Sequence, residues 1–292
     1  MRFTRQNKKL IYQYNMLVLL TGGNGYVGIN ILHNIQKTTD WDVVCLIHKN
    51  ECNIPNNVKK IYNLDIPTKY DVIIHAGGNP SSISCIQSPG SAFHDNIKTT
   101  FNLLEYARAN ECKKLIFLSS CEVYGKPISS SCETDMLVSY NMYGASKVAC
   151  EHMISAYYHC YCISSYSIRL INTYGPYCQQ ERFPSIIKNK FETQIVPHFV
   201  LNNKTTKRWL DIEIMAQRVT LLIKNMNSPV CEAFNFVGDE DLPLDELIKK
   251  LSNGKKFTFE YLEVNVKGYT SDGNASGDKF KNFEIKHTHT SA

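Results

Sequence analysis

The sequence lacks three features that would each point to a particular class of protein. Its longest apolar runs, such as Met16–Leu20, have five residues, whereas a helix needs about 20 apolar residues to cross a bilayer. Its net charge is +5 without any long basic block, so we expect neither a nucleic-acid nor a membrane partner. Its 11 cysteines include no Cys-x-x-Cys pair, which argues against zinc and a disulfide framework. We therefore expect no metal, and free thiols in a reducing cytoplasm.

The composition suits a folded chain with one large domain or two of ordinary size. The 292 residues are 43% hydrophobic and 20% charged, which is enough apolar material for a core. The first 15 residues place basic residues before apolar ones, as a signal peptide does. However, Gln13 and Asn15 interrupt the apolar part and no small-residue cleavage site follows. We interpret residues 1–15 as an N-terminal extension, with Met16 as an alternative start.

Short apolar runs recur along the first half of the chain and predict buried strands. They are continuous rather than alternating, as expected of strands covered on both faces. The runs are MLVLL (16–20), VVCLI (43–47), VIIHA (72–76), KLIFLS (114–119) and SYSIRL (165–170). Helical patterns lie between them, including a stripe of Ile97, Phe101, Leu104 and Ala107. The alternation predicts an α/β fold with a Rossmann-type, doubly wound parallel sheet over residues 16–175.

Beyond about residue 175 the pattern changes to separate helices and short strands. The segments FPSIIKNKF, EIMAQRVTLLIKNM and LDELIKKLS predict helices, and AFNFVG predicts a strand. We expect residues 176–292 to form a smaller C-terminal α/β region, interleaved with the first.

The stretch LLTGGNGYVG (19–28) has three glycines between the first strand and the first helix. At such a junction Gly22 permits a tight turn, Gly25 lets the backbone approach a pyrophosphate, and Gly28 lets the helix pack closely on the strand. The N–H groups of the helix N-terminus bind phosphates. The stretch therefore predicts a dinucleotide-binding site.

Several ordered motifs resemble the extended short-chain dehydrogenases/reductases, a family of nucleotide-sugar epimerases and dehydratases. One of them is the run of glycines after Thr21. The others are NLDI (63–66), DVIIHAGG (71–78), DNIKTTFNLLEYA (95–107), FLSSCEVYG (117–125), YGASK (143–147) and RLINTYGP (169–176). The resemblance runs from about Met16 to Glu246. It implies an NAD(P)-dependent enzyme whose C-terminal region binds a nucleotide sugar. It also implies a possible homodimer formed through the two helices that contain Asn96 and Tyr143.

The resemblance also implies a cofactor site. The expected cofactor-binding residues are Gly22, Gly25, Tyr26, Val27, Gly28, His48, Asp65, Ile66, Ala76, Gly77, Tyr143 and Lys147. An acidic residue at the end of the second strand usually binds the free 2′-hydroxyl of NAD, but this strand ends Ile47-His48-Lys49. We expect NADP to be slightly favoured over NAD. The alternative is that His48 and Lys49 are only a solvated strand end.

Tyr143 and Lys147 are four residues apart, so on a helix they share one face. A nearby ammonium lowers the pKa of a tyrosine from its ordinary value of about 10 toward neutral pH. We expect Tyr143 to take the proton of a sugar hydroxyl while hydride passes to nicotinamide, with Ser120 bonded to the reacting oxygen. Ser120 is thus expected to be both catalytic and substrate-binding.

Glu122 is the fourth catalytic candidate. Dehydratases of the family that use an Asp-Glu pair would need an aspartate where this chain has Cys121, whereas Glu122 alone resembles the GDP-mannose type. The alternative role for Glu122 is a hydrogen bond to nearby backbone.

The remaining substrate-binding candidates follow from two motifs. Asn172 resembles the family asparagine that faces the substrate diphosphate, while Arg169 is expected to be structural. KRWLDIEIMA (207–216) resembles a degraded family motif, so either Lys207 or Arg208 is expected to bind the diphosphate.

Together these residues favour a nucleotide-sugar epimerase that works through a 4-keto intermediate. An NADPH-dependent 4-ketoreductase and a 4,6-dehydratase are the alternative reactions. A catalytically idle NAD(P)-binding module is the alternative of another class.

Overall fold

The computed structural model describes residues 15–48, 53–125, 130–180, 182–202, 206–238, 241–262 and 275–288. The predicted extension of residues 1–15 therefore lies outside the described residues except for Asn15, and so does Lys49. No helix in these ranges is long and apolar enough to cross a membrane.

The strands follow the chain in this order: β1 (Leu17–Thr21), β2 (Asp42–Leu46), β3 (Lys59–Ile61), β4 (Val72–His75), β5 (Lys114–Ser120), β6 (Ser164–Leu170), β7 (Thr173–Tyr174), β8 (His198–Asn202), β9 (Thr206–Arg208), β10 (Leu210–Asp211), β11 (Cys231–Phe236), β12 (Asp241–Pro243) and β13 (Thr258–Leu262). The α-helices are α1 (Tyr26–Thr38), α2 (Ser82–Gln87), α3 (Pro89–Ser91), α4 (Thr99–Ala109), α5 (Met142–Tyr161), α6 (Phe183–Thr193), α7 (Ile212–Lys224), α8 (Leu244–Leu251) and α9 (Asp278–Thr288). A π-helix spans Ala92–Lys98 and a 3₁₀ turn spans Cys121–Tyr124.

Seven strands form one parallel sheet in the order β11-β6-β5-β4-β1-β2-β3. Side chains of one strand alternate between the two faces, so Val18 and Leu20 pack on the side of α1 and α7 while Leu19 packs on the side of α4 and α5. The chain order reverses between β1 and β4, which opens a crevice at the carboxyl ends of these strands. The predicted doubly wound Rossmann-type sheet is confirmed.

One predicted helical stripe is wrong in detail. Phe101 was expected on the buried face of its helix, but its side chain is 45% exposed, whereas Leu103 and Leu104 are buried. The preceding π-helix has a longer repeat than an α-helix. Phe101 lies outside the buried face, whereas Leu104 and Ala107 of the predicted stripe are buried.

The C-terminal part of the chain is divided between two packing units. β11 extends the central sheet beside β6, and α7 packs against α1. A separate hydrophobic cluster, which includes Phe191 of α6, Phe199 of β8 and Leu247 of α8, forms the core of the smaller unit. Residues beyond 175 thus contribute both to the central sheet and to the smaller unit.

Candidate active site

A cavity of about 1200 Å³ opens at the carboxyl edge of the central sheet. The predicted residues that line it are Gly22, Gly25, Tyr26, Val27, His48, Asp65, Ala76, Gly77, Ser120, Glu122, Tyr143, Lys147 and Asn172. Thr21, His75, Asn79, Gln179 and Arg182 also line it and were not predicted as site residues. Cofactor-site and catalytic candidates from six segments of the chain thus meet in one space.

The glycine turn leaves room for a ligand beside the N-terminus of α1. Gly22 has a φ of +70°, and a Cβ there would lie 2.6 Å from the carbonyl oxygen of Ala76. Gly25 is the N-cap residue and has no side chain to bond the first N–H groups of the helix, which therefore face the cavity as phosphate donors. This cradle fits the diphosphate of a dinucleotide cofactor.

Two predicted cofactor residues have other positions. A Cβ on Gly28 would collide with the carbonyl oxygen of Gly22, so Gly28 lets α1 pack on the turn instead of facing the cavity. The side chain of Ile66 is 77% exposed and is not among the residues that line the cavity.

Tyr143 lies buried in the first turn of α5, where Asn141 caps the helix by accepting from the N–H of Gly144 at 2.7 Å. Burial raises the pKa of the Tyr143 phenol, and the charge of Glu122 raises it further. A hydrogen bond with Ser120 and the positive charge of Arg182 act in the opposite direction.

Lys147 shares a helix face with Tyr143 but differs from the expectation. Its Nζ donates to the carbonyl oxygen of Leu118 at 2.8 Å and lies 5.9 Å from the centre of the Tyr143 ring. Burial lowers the pKa of Lys147, and the pKa of Tyr143 is raised instead of lowered. The expected lowering by Lys147 is not observed, because desolvation of the phenol outweighs the positive charges around it.

Glu122 links the end of β5 to the helix that contains Tyr143. Its Oε2 accepts a hydrogen bond from Asn141 Nδ2 at 2.5 Å, and its backbone N–H donates to Ser120 Oγ at 3.2 Å. The neighbouring Cys121 is buried, and its Sγ donates to the carbonyl oxygen of Arg169 at 3.2 Å. Burial raises the pKa of this thiol, so it is a poor proton donor or acceptor for substrate.

A buried chain of hydrogen bonds connects the end of β1, the end of β4 and the start of α4. His75 Nδ1 lies 2.7 Å from Thr21 Oγ1, and His75 Nε2 lies 3.0 Å from Thr100 Oγ1. Thr100 gives its only hydroxyl hydrogen to the carbonyl oxygen of Asn96 at 2.7 Å, so it accepts from His75. His75 is therefore protonated at Nε2, and Nδ1 accepts from Thr21, which itself accepts from the N–H of Gly77 at 3.2 Å.

Asn96 continues this chain to the catalytic helix. Its side-chain amide donates to Ser146 Oγ at 2.8 Å, and Ser146 donates to the carbonyl oxygen of Tyr143 at 2.6 Å. Its Oδ1 accepts from the N–H of Asn79 at 2.7 Å. The resemblance pointed to Asn96, whereas the position of His75 follows only from neighbours that are far apart in sequence.

Of the two cations predicted to bind the diphosphate, Arg208 does not line the cavity. Arg208 Nη1 donates to the carbonyl oxygen of Ala275 at 3.3 Å, and the side chain of Lys207 lies outside the described residues. Arg169 forms a buried ion pair with Glu151 at 2.8 Å, in the structural position expected for it. A different arginine, Arg182, lines the cavity and was missed because the loop before α6 has no recognisable spacing.

The buried state of His75 has a pH-dependent consequence. Burial, together with the charge of Lys147, lowers the pKa of His75 from 6.5 to about 3. An unfolded chain therefore binds a proton as the pH falls below 6.5, while the folded chain does not until about pH 3. As the pH falls through that window, we expect this group to lower the free energy of unfolding by up to about 1.4 kcal/mol per pH unit. Chemical denaturation between pH 4 and 6 should show a slope about one proton smaller in His75→Asn. Equal slopes in both proteins would contradict this assignment.

Comparison with known proteins places this geometry in a family. The family model "NAD dependent epimerase/dehydratase family" matches residues 18–236. UDP-glucose 4-epimerase 4 of Oryza sativa subsp. japonica is 29% identical over 54% of this chain and 49% of its own length. The dTDP-D-glucose 4,6-dehydratase of Dictyostelium discoideum is 23% identical over 81% of this chain and 61% of its own length. The chain spans about half the length of the curated relatives it matches.

Solved structures show the same fold. The UDP-glucose 4-epimerase of Thermus thermophilus, in complex with NAD, has a TM-score of 0.75 at 20% identity and covers 94% of both chains. The dTDP-glucose 4,6-dehydratase of Streptomyces venezuelae, with NAD bound, has a TM-score of 0.78 at 19% identity over 91% of this chain and 90% of that one. Because the family match extends over well more than half of the 292 residues, the chain belongs to the NAD dependent epimerase/dehydratase family.

Proposed function

We propose that the protein is an NAD(P)-dependent nucleotide-sugar epimerase that inverts C4 through a 4-keto intermediate. The observation that carries this proposal is the buried Tyr143 hydroxyl, hydrogen-bonded with Ser120, inside a cavity that also contains a phosphate cradle. Relatives of this chain named as UDP-glucose 4-epimerases, and a solved UDP-glucose 4-epimerase structure with NAD that has the same fold, support the same class of reaction.

The proposed chemistry assigns one task to each side chain. When bound, NAD(P) takes up and returns the hydride at C4. Tyr143, as phenolate, accepts the proton of the C4 hydroxyl as the C–H bond breaks and gives it back when the alcohol re-forms. Ser120 bonds to the same sugar oxygen. Glu122 holds Asn141, and thereby the first turn of α5, in place.

The site supports epimerisation better than dehydration. Loss of water across C5 and C6 needs an acid and a base beside the sugar. At the position between Ser120 and Glu122, the Cys121 thiol is bonded to backbone and has a raised pKa, so the Asp-Glu pair of one dehydratase type is absent there. A 4-ketoreductase remains the second candidate, favoured by the strand end that suits an exchanging NADPH.

A panel of UDP-, GDP-, CDP- and dTDP-sugars tests the proposed reaction. Without added reductant, the protein should convert at least one of them to its C4 epimer, which NMR distinguishes from the substrate. Tyr143→Phe should keep its cofactor affinity and lose turnover by about 10²-fold or more, because only the proton-transfer oxygen is removed. Turnover within a few-fold of wild type would remove Tyr143 from this role. Oxidation of NADPH by a 4-keto sugar without any epimer would establish the reductase.

We further propose that NADP(H) binds more tightly than NAD(H). His48 lines the cavity at the end of β2, and the described residues 46–48 contain no carboxylate to accept the ribose hydroxyl. Titration calorimetry should give a lower Kd for NADPH than for NADH, and His48→Asp should reverse that order. Equal or tighter binding of NADH by the wild type would overturn the preference.

We also propose a homodimer that forms through α4, α5 and the adjoining π-helix. Phe93 and Phe101 are 52% and 45% exposed there, and the small residues Ala145 and Ala156 are exposed on α5, so two helix pairs can approach closely. Sedimentation velocity should show a dimer that Phe101→Glu dissociates. The control Ile195→Glu changes an equally apolar side chain, 98% exposed and remote from these helices, and should leave the dimer intact. A monomeric wild type would contradict this proposal.

We propose that the protein works in the cytoplasm. The ten cysteines that the structure describes are free thiols, five of them buried. Such thiols persist where the surroundings are reducing.

A further inference from the structure

The substrate side of the cavity needs a cation, and Arg208 is the one expected residue whose side chain the structure describes. A nucleotide sugar carries a diphosphate, which proteins bind with charge-assisted hydrogen bonds. Arg208 is bonded to the carbonyl oxygen of Ala275 and does not line the cavity. Lys147 does line it, but its Nζ donates to the carbonyl oxygen of Leu118 and lies beneath Tyr143 on the catalytic helix. The anion site must therefore be sought elsewhere in the wall.

Arg182 has the geometry of such a site. It is the residue before α6, it lines the cavity together with Asn172, Thr173 and Gln179, and its side chain is half-buried. Its Nε donates to Gln179 Oε1 at 2.9 Å, which fixes the plane of the guanidinium. Within the part of the chain that the structure describes, no carboxylate pairs with it. The four Nη hydrogens of an arginine fork are suited to two oxygens of a phosphate.

Arg182 lies in the same cavity wall as two tyrosines of the site. Its positive charge lowers the pKa of Tyr26, in the first turn of α1 beside the phosphate cradle, and that of Tyr143, the proposed base. An anion bound at Arg182 would thus lie within reach of the site that contains both tyrosines. The cavity wall also contains Asp95 and Glu122, so the cation supplies a favourable place for the anion in an otherwise partly acidic wall.

We propose that Arg182 binds the diphosphate of the nucleotide-sugar substrate, in the place that the family motif would give to Lys207 or Arg208. This inference rests on the proposed function, because it assumes that a nucleotide sugar is the substrate. The diphosphate of the cofactor has the same chemistry, so it is the alternative ligand for Arg182 in this cavity.

Binding of nucleoside diphosphates separates these possibilities. UDP, GDP, CDP and dTDP are titrated by calorimetry into the full-length protein saturated with NADPH, and the best binder is kept. Arg182→Ala should weaken it by about 10- to 100-fold, the value of one or two charge-assisted hydrogen bonds. Arg182→Lys should recover part of the loss, because it keeps the charge but not the fork. The matched control Lys188→Ala removes an exposed cation of the adjoining helix α6 and should change nothing.

Four results would overturn the assignment. Affinity for the diphosphate that is unchanged in Arg182→Ala but lost in Arg208→Ala would restore the family position. Weaker binding of NADPH by Arg182→Ala than by the wild type, measured without nucleoside diphosphate, would assign Arg182 to the cofactor. A wild-type protein that binds none of the four diphosphates would refute the proposed function together with this site. In contrast, C4 epimerisation by a protein insensitive to the change at Arg182 would leave the function intact and refute the site alone. If Arg182→Ala does not fold, Arg182→Gln replaces it in every comparison.

Discussion

The buried side chain of Asn96 is the junction on which the candidate site depends. Its side-chain amide binds the loop after β4 through Asn79 and the helix α5 through Ser146, and the backbone carbonyl oxygen of the same residue accepts from Thr100. The side chains of Asn96, Ser146 and Thr100 are buried, so leaving one of their polar groups unpaired would cost about 1–3 kcal/mol. These bonds therefore link the loop after β4 to the helix that contains Tyr143.

Burial gives the site its chemical character. Tyr143, Lys147 and His75 are all less than a tenth exposed, and in each case desolvation is the largest cause that disfavours the charged form. A dry site strengthens every interaction with a partner that brings charge. The proposed role of Tyr143 as a base at neutral pH therefore depends on positive charge close to the phenol.

The sequence alone was sufficient for most of the sheet and for part of the cavity wall, because both depend on local patterns. Continuous apolar runs identified five of the seven sheet strands, and the glycine spacing identified the turn above β1. The three-residue strand β3 and the π-helix before α4 have no comparable pattern, so Phe101 was assigned to the wrong face.

The residues that sequence reasoning missed depend on neighbours distant in the chain. His75 stands inside an anticipated strand, but its partners Thr21 and Thr100 are 54 and 25 residues away. Arg182 follows an irregular loop, and nothing in its spacing shows that it faces Tyr143. Lys207 and Arg208 were chosen by motif, and in the fold Arg208 is directed to the backbone of Ala275.

The central claim is that Tyr143 and its neighbours let a hydride leave and return to the same sugar carbon. It is tested most directly with a nucleotide sugar that carries deuterium at C4, incubated with catalytic amounts of cofactor. The account predicts that the C4 epimer retains the deuterium at C4, as read by mass spectrometry and NMR. Transfer of the label to the free cofactor pool, or its loss to solvent, would contradict it.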